Sequence, residues 1–288
     1  VKNPAKKTPK ATIHYHDIGD YLSKDEKLEL ISEFASVANP QMKWVDLHPN
    51  EQGDWINQRN ELFETLIPVA PKKKFNIGTQ SFFNTYAIGV GTNRDSWVYN
   101  FGKKKLKLYM KSMIEFYNLQ QVSYNKAIVQ NPKLKVKDFV NSDPKQISWT
   151  RALRNDAKNN IAHSFDENSL RLSAYRPFCK QNLYFNKDFN ESIGLSPKLF
   201  PSSSKKNFVV CVSSSANDGV SVLITDSIPD LHFNGDVQAF PLFHYEEQDK
   251  QSPTLFDYAN QNESEYIRRD GVSDFILTRA KKQYGKNV

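Results

Sequence analysis

The sequence predicts a mixed α+β fold in which strands and helices are interspersed without a regular strand–helix alternation. Three observations carry this expectation. Leu106, Tyr109, Met110, Met113, Ile114 and Tyr117 recur at helical spacing and form one apolar stripe. Short β-branched and aromatic runs at 170–175, 181–185, 208–213 and 220–224 read as strands. These segments show no internal repeat.

Taken in order, the chain opens on a basic lead, VKNPAKKTPK, that runs into no apolar segment and so is not a signal peptide. It lacks an initial Met, and the chain is expected to be a piece of a longer polypeptide. Thr12 to Tyr15 reads as a short strand. Ser23 followed by Glu26 is a capping-box pattern that starts a helix over 24–36, carrying Leu28, Leu30, Ile31 and Phe34. Pro40, Pro49 and Asn50 mark a connection, and Gly53 to Arg59 turns into a helix ending near Leu66. Trp55, Ile56 and Phe63 are expected in the core. Residues 82–90 are β-branched and aromatic, Gly91 to Asp95 is a polar turn, and Trp97 to Phe101 resumes as a strand. The helix from Lys103 follows. Residues 119–142 are polar, with few apolar anchors. Asp143-Pro144 reads as a helix start, with Ile147, Trp149 and Leu153 inward. Arg176-Pro177-Phe178 turns between two strands, and Asn217-Asp218-Gly219 is a hairpin signal. Pro229 and Pro241 point to edge or loop positions. Residues 246–265 are acidic and read as a linker, and a short helix begins near Gly271.

Composition bounds the function. The 288 residues are 39% hydrophobic and 12% aromatic, enough for a core and for one large domain or two ordinary ones. No apolar run approaches the ~20 residues of a membrane span. Cys179 and Cys211 are too few for a disulfide framework and suit a reducing cytoplasm. The cysteines and six scattered histidines lack zinc spacing. His14, His16, Asp17 and Asp20 invite a metal reading, but no further ligands are evident, and no metal is expected. No Walker loop, GxSxG, GxGxxG or HExxH occurs, and no catalytic residue is assigned.

Charge is more informative. Net charge is +7, but residues 66–210 hold 24 Lys/Arg against 9 Asp/Glu, while both flanks are acidic. Such a basic middle is the footprint of a phosphate-backbone surface. Lysines 103, 104, 105 and 107 crowd a helix start, where the dipole disfavours cations and a polyanion would reverse the penalty. The candidate phosphate contacts are Lys73, Lys74, Lys103, Lys104, Lys105, Arg151, Arg154, Arg176 and Lys180. Asn93 and Arg94, on the turn between strands, are candidate base-edge readers. The competing expectation for that turn is local: Asn93 and Asp95 bond their own backbone, and Arg94 pairs with Asp95. These cations are expected to gather on one concave side of the fold.

Seven blocks stand in order along the chain: HDIGDYLSKDEKLELI (16–31), GDWINQR (53–59), GVGTNRDSWVYNF (89–101), ISWTR (147–151), YRPFCKQNLYF (175–185), PDLH (229–232) and QAFPLFHYE (238–246). Together they resemble the C-terminal specificity region of type ISP restriction–modification enzymes and related predicted helicases. The resemblance implies a target-recognition-domain fold. It also implies a parent polypeptide with a nuclease, a helicase-type motor and an N6-adenine methyltransferase, for which AdoMet, ATP and Mg are the implied cofactors. None is expected in this segment. Residues 1–48 would be the trailing edge of the methyltransferase domain, 49–245 the DNA target recognition domain, and 246–288 a linker and the start of a helical segment. The implied partners are double-stranded DNA and the upstream methyltransferase and helicase domains, with no membrane. The competing expectation is a docking module for a helicase or nuclease, without direct base readout.

Overall fold

The computed structural model describes residues 11–50, 53–56, 61–71, 80–215, 219–248 and 266–285. The chain forms two compact units, 1–66 and 67–288.

In the first unit Ile13–Tyr15 (β1) pairs antiparallel with Val45–Leu47 (β2), placing His14 opposite Asp46. Between them runs Lys24–Phe34 (α1), which begins at the expected capping box. Glu26 N donates to Ser23 Oγ, and Ser23 N donates to the Glu26 carboxylate. No α1 residue is buried, and Leu28 and Ile31 are exposed. Trp55, Ile56 and Phe63 are exposed as well, at 61%, 42% and 44%, so the core expected there is not present. Apolar character shows that a side chain can be buried, not what would cover it. His14 Nδ1 bonds Asp46, whereas His16 Nδ1 bonds the Lys43 carbonyl, so the two rings face different partners.

The second unit runs Ala87–Ile88 (β3), Asp95–Val98 (α2), Tyr99–Asn100 (β4), Lys103–Gln130 (α3), Val136–Phe139 (α4), Arg151–Lys158 (α5), Leu170–Arg176 (β5), Cys179–Tyr184 (β6), Ser196–Leu199 (α6), Val209–Ser215 (β7), Gly219–Thr225 (β8), Ile228–Pro229 (β9), Gln238–Pro241 (β10), Phe243–Glu247 (β11), Tyr266–Asp270 (β12) and Asp274–Tyr284 (α7). One sheet has the order β3-β10-β7-β8, a second β4-β6-β5-β9, and β11 pairs with β12. Pro229 lies on the edge strand β9, as expected. β10 is instead interior; Pro241 is tolerated at its end because β3 pairs only with Gln238 and Ala239.

α3 is the spine. Leu106, Met110, Met113, Ile114 and Tyr117 are buried on the expected stripe. The helix then continues through 119–130, where the sequence showed few apolar anchors. Polar groups hold it there. Tyr117 OH donates to Ile161 O at 2.8 Å, Asn125 Nδ2 to Ala157 O at 2.9 Å, and Gln121 to the Asn160 side chain. Two other expectations also change. Trp97 and Val98 belong to a helical turn, so only Tyr99–Asn100 is strand. Asp143 makes a local turn, its carboxylate accepting from Lys145 N, and the helix starts only at Arg151, where Thr150 accepts from Leu153 N. Ile147 and Leu153 are buried as predicted. Asn217, Asp218 and 249–265, most of the expected linker, lie outside the described residues.

Candidate nucleic-acid interface

Residues 91–94 lie in the turn between β3 and α2, and it closes onto the first turn of α2. Thr92 Oγ1 bonds the Asp95 carboxylate and accepts from Arg94 N at 3.2 Å. Asn93 takes the left-handed φ of 53° and is exposed. Arg94 is 4% exposed. Its Nη2 donates to Thr150 Oγ1 at 2.7 Å, and its guanidinium carbon lies 5.9 Å from the centre of the Phe189 ring. Burial lowers its pKa to about 10, so it remains a cation at neutral pH. Arg94 therefore does not stand at the surface as a base reader: its guanidinium ties the loop to the N-cap of α5. Asn93 is the outward side chain of the pair.

Asp95 connects this loop to a second polar cluster. It accepts from Tyr175 OH at 3.0 Å. Asp230, 3% exposed, accepts from Arg176 Nη1 at 2.7 Å, Tyr99 OH at 3.1 Å and His232 N at 2.9 Å. Burial holds the Asp230 carboxyl above the usual carboxylate range, opposed by the His232 N–H and by Arg176. Burial also raises the Tyr99 hydroxyl pKa. Gly89 permits the close approach that builds this cluster, since a Cβ there would lie 2.4 Å from Asp230 O. The Arg176 guanidinium carbon lies over Tyr175, 4.0 Å from the ring centre, and Arg176 donates to Asp230. It is thus anchored by the fold, with its side chain still 38% exposed. Lys180 pairs with Asp226 at 2.6 Å, both half-exposed; such pairs exchange readily with solvent and leave the lysine accessible.

The remaining candidate cations occupy two places. Lys103, Lys104 and Lys105 are exposed at the start of α3, whose N-cap Gly102 provides no side-chain cap. Lys105 lies 5.6 Å from the Tyr109 ring. At the far end of the helix, Arg151 and Arg154 line a groove of ≈ 760 Å³ with Lys133, Lys135, Lys137 and Lys158. Glu191 is its one acidic lining residue, and Tyr124, Ile128 and Val136 supply apolar floor. Arg154 Nε is buried and has no hydrogen-bond partner among the described residues. From Lys104 to Ile128 the axis of α3 advances roughly 36 Å, at about 1.5 Å per residue. The cations therefore collect in two clusters along α3. Lys73 and Lys74 lie outside the described residues. Lys133, Lys135 and Lys137 were missed because they sit in a polar stretch. Their alternation with Leu134 and Val136, which turn inward, was the available signal.

Among the described residues, no group of three or more His, Cys, Asp or Glu could hold a metal ion, and no helix is long and apolar enough to cross a membrane.

No curated protein matches the chain. Solved structures do. The nuclease-deletion mutant of the Type ISP restriction–modification enzyme LlaGI, in complex with a DNA substrate mimic, is 30% identical with a TM-score of 0.61, over 93% of this chain and 20% of that one. The ATP-dependent Type ISP restriction–modification enzyme LlaBIII, bound to DNA, is 31% identical with a TM-score of 0.63, over 94% of this chain and 16% of that one. A DrdV–DNA complex solved by electron cryomicroscopy is 25% identical with a TM-score of 0.66, over 95% of this chain and 25% of that one. The chain thus spans a quarter or less of the length of these chains. The sequence model of the Type ISP C-terminal specificity domain matches residues 81–288, so the chain belongs to that family.

Proposed function

We propose that this chain is a sequence-specific double-stranded DNA recognition domain of a single-polypeptide restriction–modification enzyme. It holds the duplex so that a methyltransferase domain of the same polypeptide extrudes and N6-methylates an adenine, and so that the motor and nuclease act only from the recognised site. AdoMet, ATP and Mg belong to those other domains, and the cytoplasm is where such an enzyme meets its DNA. Leu28 and Ile31, both 56% exposed on α1, fit residues 1–48 as the trailing edge of a methyltransferase domain that continues beyond them.

One observation carries the reading: six cations and a single acid line one groove in a chain of the Type ISP specificity family. Phosphate contacts of this kind release counterions, so affinity falls steeply with salt, by about 0.9 log units per log unit of salt for each contact. Binding of the chain to duplex DNA across a salt series tests this. A steep slope is expected. Substituting Lys133, Lys135 and Arg151 together by Gln should reduce the slope by roughly two to three and weaken all sequences alike. Salt-independent binding, or none, would favour a protein-docking module instead.

A further inference from the structure

The β5–β6 hairpin ends in Pro177-Phe178, and Phe178 is 95% exposed. Its φ is +61°, a region that a bulky side chain rarely enters. Glycine or asparagine would suit that backbone better, and a polar side chain would suit that exposure better. A large apolar side chain is therefore held in water on an unfavourable backbone, by a hairpin that is firmly anchored. Arg176 and Cys179 pair across the turn, Arg176 folds back over Tyr175, and Asp230 takes its guanidinium.

The surroundings of the tip suggest what it meets. β4 runs antiparallel to β6, with Tyr99 opposite Leu183 and Asn100 opposite Asn182, so the chain leaving β4 runs towards the hairpin end. It leaves through Phe101, 73% exposed, whose carbonyl accepts from Asn182 Nδ2 at 2.8 Å. The exposed Lys103–Lys105 run comes next. Lys180 stands two residues beyond the tip. One end of this sheet thus presents exposed aromatic rings beside exposed lysines. That is the composition of a surface that stacks on bases while its cations contact the adjoining phosphates. It does not suit an apolar protein partner, which would have to desolvate the lysines.

We propose that Phe178 is a wedge that inserts between neighbouring base pairs of the bound duplex, unstacking and kinking one step, with Lys103–Lys105 on the flanking backbone. This rests on the DNA-binding reading above. A wedge prefers a step that is already unstacked, so the probe is a short duplex compared with the same duplex carrying one central abasic site. The chain should bind the abasic duplex about tenfold more tightly. Phe178→Ala should bring that ratio close to one without changing the salt slope, and Phe178→Trp should keep it. Because the side chain is exposed, both variants should retain the native circular dichroism spectrum and unfolding midpoint. A wild-type ratio of one, or an Ala variant with the wild-type ratio, would overturn the wedge and leave DNA binding intact. If the unmodified chain shows no salt-dependent binding to either duplex, the DNA reading fails and the wedge fails with it.

Discussion

Arg94 shows how a residue changes meaning between sequence and fold. In the sequence it is a cation on a Gly-rich turn, suited to read a guanine edge. In the fold it is buried, bonded to Thr150 and placed over the Phe189 ring. Nothing local distinguishes the two fates, because Thr150 lies 56 residues away. Arg176 likewise has a distant partner, Asp230, 54 residues on, although its side chain stays 38% exposed. Asn93 takes a left-handed φ of 53°, which Asn tolerates within a turn. One residue also predicts a pH response. His244 is buried, and burial lowers its pKa, with Glu246 opposing. The unfolded chain therefore binds a proton at a higher pH than the folded chain does. The stability that neutral His244 permits is fully present above the unfolded value of about 6.5 and is lost as the pH falls from there through the depressed folded value. Thermal midpoints from pH 7 down to pH 5 should fall for the native chain and fall less for His244→Asn. Parallel curves would exclude His244 as a source of the response.

α3 makes the same point at the scale of an element. Its first half was readable because apolar residues at helical spacing need only their own periodicity. Its second half was not, because polar side chains there bond backbone groups that return from 157–163. Asn118 is the clearest case: its Nδ2 donates to His163 O at 2.8 Å and its Oδ1 accepts from His163 N at 3.0 Å. Asn118→Ala leaves both groups unpaired in a part-buried site and should cost about 2 kcal/mol. The neighbouring Leu119→Ala, at a 66% exposed position, should cost less than about 0.5 kcal/mol. Urea unfolding of the two variants compares them, and equal losses would show that the Asn118 bonds contribute little. The helix predicted from Asp143-Pro144 illustrates the opposite error. Asp143 satisfies nearby N–H groups in a turn as readily as at a helix start, and Trp149 Nε1, donating to Asn141 O at 2.9 Å, draws the chain back before α5 begins.

At the scale of the molecule, the axis of α3 between its two cationic ends advances roughly 36 Å, close to the roughly 34–36 Å of one turn of B-DNA. If both touch the same duplex, a DNA shorter than about ten base pairs reaches only one of them. Its salt slope should then be shallower than that of a duplex two turns long. Equal slopes would mean that a single cluster makes the phosphate contacts. The sequence by itself determined the mixed fold class, the basic middle, the capping box on α1, the apolar stripe of α3, the β5–β6 and β7–β8 strands and the family. All of these depend on composition, on spacing over a few residues, or on the order of blocks. Only the tertiary structure decided that Arg94 is spent inside the fold, which cations line the groove, and that Phe178 is left almost wholly exposed at its hairpin tip. Those outcomes depend on partners 50 or more residues away and on what happens to cover a side chain, and neither is encoded in any short stretch of chain.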